Sequence, residues 1–195
     1  MRTITFDTET TGLKPGNICQ LAYIIDDEGT ITGKCFFFKV DYVEPGAQRV
    51  HGFSTDMLNK LSGGRGFGEF AAQISDDFNS CGFCIAHNYN FDNSFLLAEC
   101  KRHGISISIK PDSQFCTMLH FTPILKLPRA SASGQYKYPT LSELAAFLAI
   151  TDGEISSLTH KAFGSDGRDK LALYHHDARF DCAAAYLCYK KGVEN

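Results

Sequence analysis

The sequence predicts an α/β domain with a mixed sheet flanked by helices, and three observations predict it. The first is a set of three β-type segments at the start, the second and third joined by the turn Asp27-Glu28-Gly29. The second is Phe83-Cys84-Ile85-Ala86, short and wholly apolar, as a strand buried on both faces of a parallel sheet reads. The third is the alternation that follows it, giving the order β-β-β-α-β-α-β-α-α.

Each element has a local reason. Ile4-Thr5-Phe6 is β-type and ends at the turn Thr10-Thr11-Gly12, and Cys19–Asp26 and Lys34–Val40 complete an antiparallel meander. Ser54 or Thr55 caps a short helix with Asp56 in its first turn. A loop at Gly63-Gly64-Arg65-Gly66 precedes a helix over 67–79, where Phe70, Ile74 and Phe78 recur at i, i+4, i+8. The apolar strand runs through His87-Asn88-Tyr89-Asn90 into a helix that stops at Gly104. Ser106–Ile109 is a further strand candidate. Residues 121–139, with Pro123, Pro128 and Pro139, read as a long irregular loop. Thr140-Leu141-Ser142-Glu143 is a capping box opening a helix to about Leu148. After a second loop, the Ala-rich stretch Asp177–Lys190 is the last helix. No repeat or boundary divides the chain, so residues 1–195 read as one domain.

Composition narrows the classes. With 44% hydrophobic and 21% charged residues in 195, the chain is soluble and globular. No apolar run approaches the roughly 18 residues of a membrane span. Met1-Arg2-Thr3-Ile4 enters the first strand at once and leaves no room for a signal peptide. Eight Cys without disulfide spacing indicate a reducing cytoplasm. Cys81-Gly82-Phe83-Cys84 lacks the second pair that a four-ligand zinc site needs, so these Cys read as core. A net charge of −3 speaks against broad wrapping of a polyanion but leaves a local grip open.

Asp7 and Glu9 are two apart on a strand, so both carboxylates share a face and Thr8 points the other way. Like charges held that close need a proton or a cation between them. Asp92 follows the buried strand at a helix start, where the dipole alone would favour an acid. Asp181 lies in the last helix among Ala178, Cys182, Ala183, Ala184 and Ala185, small residues that let the helix approach the sheet.

Taken together, Asp7-Thr8-Glu9-Thr10-Thr11-Gly12-Leu13, His87-Asn88-Tyr89-Asn90-Phe91-Asp92 and His176-Asp177-Ala178-Arg179-Phe180-Asp181 closely resemble the three motifs of the DEDDh 3′→5′ exonucleases. Val50-His51-Gly52-Phe53 and Pro139-Thr140-Leu141-Ser142-Glu143-Leu144 resemble that superfamily's intervening elements, so the likeness runs in order along the chain. It implies a ribonuclease H-like, mixed five-stranded sheet. It also implies two Mg²⁺ ions, replaceable by Mn²⁺, held by Asp7, Glu9, Asp92 and Asp181, with Asp7 bridging both. Hard cations want oxygen ligands, and a cation pair can stabilise both the attacking and the leaving oxygen of phosphodiester hydrolysis. His176 would be the general base for the attacking water. Counting forward five residues reaches Asp181 only from His176, whereas His160 and His175 reach Ser165 and Phe180. A tyrosine in that role is unsupported, because four residues beyond Tyr174 lies Ala178.

The resemblance further places Leu13 and Phe53 against the 3′-terminal base, with Thr10, His51 and Asn88 as other substrate contacts. Lys126, Arg129 and Lys137 are candidate phosphate contacts on the long loop. His87, ending a buried strand, is expected to make a structural hydrogen bond. The implied substrate is the 3′ end of single-stranded DNA or RNA, DNA favoured, released as 5′-mononucleotides. A homodimer or association with a polymerase is compatible with the resemblance. The alternatives are a non-catalytic nucleic-acid-binding protein of the same fold, which the presence of all four acids and the His opposes, and a zinc hydrolase using Cys81, Cys84 and a nearby His.

Overall fold

The segment Arg2–Thr10 (β1) lies at the centre of a five-stranded sheet in the computed structural model, which describes residues 1–129, 135–164 and 176–194. On one side β1 pairs antiparallel with Ile18–Asp27 (β2), and β2 pairs antiparallel with Thr30–Phe37 (β3). On the other it pairs parallel with Phe83–Ala86 (β4), followed by Gln114–Cys116 (β5), also parallel. The strand order is therefore β3-β2-β1-β4-β5. Alternation along β1 sends Ile4 and Phe6 to one face and Thr5 and Asp7 to the other.

The helices α1 (Pro45–His51), α2 (Thr55–Leu61), α3 (Ala71–Asn79) and α4 (Tyr89–Arg102) come from the first half of the chain and its middle. The second half supplies α5 (Thr117–Leu125), α6 (Leu141–Phe147), α7 (Asp152–Phe163) and α8 (Ala178–Val193). One face of the sheet packs Ile4, Phe6 and Tyr23 against Phe78 of α3 and Phe95 of α4. Phe6 meets Phe78 and Tyr89 edge-on at 5.2 and 5.6 Å, the favoured aromatic geometry. The opposite face packs Ala22 and Ile24 against α6, α7 and α8. The small residues of α8 permit a close approach, and Cys182 Sγ reaches the carbonyl of Thr5 at 3.0 Å. Among the described residues no helix is long and apolar enough to cross a membrane, and all eight Cys are free.

Four local expectations change. Ser106–Ile109 is not a strand. Asn79 takes its pairing groups, accepting from Ser108 N–H at 2.9 Å and donating to Ser106 O at 3.0 Å, and the fifth strand is Gln114–Cys116. The helix expected over 67–79 is a 3-10 turn, Phe67–Glu69, followed by α3. The loop expected over 121–139 begins later, because α5 continues through Pro123 to Leu125. A helix, α7, occupies part of the second loop. Its start carries a capping box at Thr151 and Glu154, the same T-x-x-E signal that marks α6 at Thr140 and Glu143.

Candidate active site

The C-terminal end of β1 is where the two helical layers meet, and the acids collect there. Asp7 and Glu9 leave the strand on the α8 face. Asp92, in the first turn of α4, comes from the other layer and is caught by Thr8, whose side chain points that way. The backbone N–H and the hydroxyl of Thr8 both donate to Asp92 Oδ1, at 3.0 and 2.7 Å. Asp181, in the first turn of α8, accepts the backbone N–H of His176 on Oδ2 at 3.0 Å. Glu9, His176 and Asp181 each offer a ligand atom within 4.8 Å of the others, and neither Cys81 nor Cys84 belongs to such a group among the described residues.

The electrostatics follow from that crowding. Burial holds the Asp7 carboxyl well above the ordinary carboxylate range, and the charges of Asp92, Asp181 and Glu9 push it further. Burial and then Asp181 and Asp92 do the same to Glu9. Asp92 is raised by burial too, against the lowering effect of its two Thr8 bonds. Such a cluster is unfavourable in its fully ionised form unless a cation compensates it. The donor set is dominated by carboxylate oxygens, which suits Mg²⁺ or Mn²⁺.

Beside Glu9 opens a cavity of about 360 Å³, walled by Thr10, Leu13, Ala47, Val50, His51 and Phe91. Leu13 is 84% exposed, an apolar side chain offered to solvent at the cavity mouth. His51 is buried; Phe53 N–H donates to Nδ1 at 3.0 Å, and Nε2 lies 3.3 Å from Thr10 O, so the proton sits on Nε2. Burial lowers its pKa, which favours the neutral imidazole.

Residues 4–164 match the RNase T exonuclease family model. The chain belongs to that family. This places it in the DEDDh exonuclease superfamily. The matched region takes in the first two motifs and stops before His176 and Asp181, which the fold brings to the same site. No curated protein matches the sequence. Among solved structures, E. coli exonuclease I with a dT13 oligonucleotide is similar at 20% identity and TM-score 0.71, over 100% of this chain and 41% of that one. A zinc-bound E. coli exonuclease I–ssDNA complex is similar at 20% identity and TM-score 0.70, over 99% and 41%. A product-bound exonuclease I is similar at 19% and 0.68, over 99% and 44%. The shared fold is ribonuclease H-like, and the chain spans about 40% of the length of these proteins.

Within this exonuclease domain not every residue singled out from sequence lies at the cavity. Phe53 does not line it: it is 4% exposed, packed edge-on to Phe37 at 5.5 Å and stacked on His51 at 5.2 Å, so it backs the wall from the core. Asn88 is exposed and left-handed at φ 63°, at the cap of α4 and outside the cavity lining. Lys137 is paired with Glu143 at 2.5 Å, and Arg129 donates to Gln135 at 3.2 Å. His160 sits within α7 on Ser156 O, while His175 and Tyr174 lie outside the described residues. His87 makes the structural bonds expected of it, to Thr117 Oγ1 at 2.9 Å and Pro139 O at 3.1 Å, and burial lowers its pKa to about 4.

Other residues surround the site. Gly12 lies against the carboxylate of Glu44, the free end of an exposed side chain. Buried Glu99 accepts Ile18 N–H at 2.9 Å and Arg102 at 2.8 Å, and Arg102 reaches Gly16 O, tying down the loop after the first motif. Asp177 is a fifth acid beside the cluster, but Arg179 pairs with it at 2.8 Å and keeps it out of the ligand set.

Proposed function

We propose that this chain hydrolyses phosphodiester bonds stepwise from the 3′ end of single-stranded nucleic acid, DNA in preference to RNA, releasing 5′-mononucleotides. The observation that carries the reading is the convergence of Asp7, Glu9, Asp92, Asp181 and His176 beside an apolar-walled cavity. Asp7, Glu9, Asp92 and Asp181 would hold two divalent cations, Mg²⁺ or Mn²⁺, which when bound would stabilise charge on the attacking and leaving oxygens.

The chain's own groups do the rest. His176, at the rim of the cluster, takes a proton from the attacking water, a contribution of about 10²–10⁴-fold. Thr8 aims Asp92. Leu13, Val50 and Phe91 offer apolar surface to the terminal base, and stacking on an aromatic ring such as that of Phe91 is worth roughly 1–3 kcal/mol. Solved structures of the same fold hold single-stranded DNA oligonucleotides, which supports the preference for DNA.

The test compares 5′-labelled linear DNA, linear RNA and closed circular single-stranded DNA with the purified protein in Mg²⁺. Linear DNA should shorten from its 3′ end to 5′-mononucleotides faster than RNA, and the circle should persist. Cleavage of the circle, or ladders starting from the 5′ end, would refute the reading.

A further inference from the structure

His176 has an unusual backbone. Its φ of 72° lies in the left-handed region, where a residue with a Cβ is strained. Such a conformation persists when its surroundings over-determine it. The surroundings here are a buried polar cluster that joins the first strand pair to the start of α8.

Gln20 is the centre of that cluster. It stands directly opposite Glu9 in the β1–β2 register, so both side chains leave the sheet on the α8 face. Gln20 is 0% exposed. Its Nε2 donates to Asp177 Oδ1 at 3.0 Å, and its Oε1 accepts Ala178 N–H at 3.0 Å. One side chain thereby satisfies both the capping carboxylate of α8 and one of the orphan N–H groups of the helix start. Asp177 is held from the other side by Arg179, through Nε at 3.0 Å and Nη2 at 2.8 Å, with both residues buried. A buried carboxylate that accepts from donors on both oxygens becomes costly when one of them is removed. His176 is the next residue back along the chain, and its N–H is in turn fixed on Asp181.

We infer that Gln20 is a positioning residue for His176: by gripping Asp177 and Ala178 it fixes the start of α8, and so the place of the imidazole over the acid cluster. The inference rests on the reading of His176 as the general base. Gln20 touches neither substrate nor reacting atoms, so it acts only through the residues at the start of α8, and the imidazole of His176 is the reacting group it sets in place. Displacing a reacting group by about 1 Å can cost about 10²-fold in rate.

The experiment is a double-mutant cycle on 3′-end hydrolysis of a DNA oligonucleotide, using wild type, Gln20→Leu, His176→Ala and the double variant. Gln20→Glu is carried in parallel, since it keeps the acceptor for Ala178 N–H and loses the donor to Asp177. Thermal unfolding and calorimetric Mn²⁺ binding accompany each variant. Gln20→Leu should lose roughly 10²-fold in kcat with KM within about 3-fold. The double variant should be no slower than His176→Ala by more than about 2-fold, because a misplaced base and an absent one are the same defect. Mn²⁺ affinity should fall far less than kcat. If Gln20→Leu does not fold, Gln20→Glu must show the same loss and the same non-additivity. Fully additive losses, or unchanged kcat in a folded Gln20 variant, would overturn the inference while leaving His176 as the base. Equal rates for wild type and His176→Ala would overturn the base assignment itself, and the inference with it.

Discussion

Thr8→Val removes one atom group whose role is visible, the hydroxyl that donates to Asp92 Oδ1 at 2.7 Å in a buried setting. Val keeps the branched shape, and the backbone N–H of residue 8 still reaches Oδ1 at 3.0 Å. A hydrogen bond to a charged group contributes about 1.5–3 kcal/mol, and its loss is felt by the ionised form of Asp92 alone. At 1.36 kcal/mol per pKa unit, Asp92 should rise by about one to two further units above its already raised value. A cation that needs Asp92 as a carboxylate must then displace a proton, so its affinity near pH 6 should drop about 10- to 100-fold. The sign of the pH dependence is fixed: the deficit should be greatest near pH 6 and shrink towards pH 9, as the variant's Asp92 also ionises. The assay is calorimetric Mn²⁺ titration of wild type, Thr8→Val and Thr8→Ser between those limits. Thr8→Ser, retaining the hydroxyl, should stay within a few-fold of wild type. A Thr8→Val affinity equal to wild type at pH 6, or a deficit constant across the range, would refute the reasoning.

Other outcomes follow from the same geometry. Asp7→Asn should abolish hydrolysis while leaving the fold intact, and circular dichroism with an end-labelled digestion checks both. The cation-free protein should lose stability as pH rises from about 4 through neutrality. Asp7, Glu9 and Asp92 have folded pKa values raised above their unfolded ones, so the folded state binds more protons in that window and rising pH disfavours it. Mn²⁺ at about 100 times its dissociation constant should stabilise by about 2.7 kcal/mol, or about 5–11 °C of melting temperature, and flatten that slope; scanning calorimetry reads both. Leu13→Ala should weaken substrate binding several-fold with stability within about 0.5 kcal/mol, since the side chain is exposed. Phe53→Ala should do the reverse, with about 3–5 kcal/mol of stability lost from the core in denaturant titration.

The acids were legible because their geometry is local: i and i+2 on a strand share a face whatever surrounds them, and a helix-start Asp announces itself beside a buried strand. What was not legible depended on long-range contacts. Thr8 was correctly read as facing away from Asp7 and Glu9, but nothing local says that Asp92 arrives on that side from α4. Gln20 and Asp177 are 157 residues apart, and no spacing rule joins them. Phe53 follows an element like that of the superfamily, yet its burial was decided by Phe37 across a third core cluster with Cys19 and Leu58. Ser106–Ile109 alternates like a strand and lost its ladder to the side chain of Asn79. The start of α7 is legible too, because its capping box at Thr151–Glu154 is the same local signal as that at Thr140–Glu143.

In the function proposed above, four carboxylates from β1, α4 and α8 hold a pair of divalent cations at the edge of the cavity. A crystal grown with Mn²⁺ and a 5′-mononucleotide, measured at the manganese absorption edge, tests it most directly. Two anomalous peaks about 3.5–4 Å apart should appear, ligated by Asp7, Glu9, Asp92 and Asp181, with the nucleotide phosphate between them and its base against Leu13. A cation bound at Cys81 and Cys84, or an acid cluster that takes up no manganese with the nucleotide present, would contradict it.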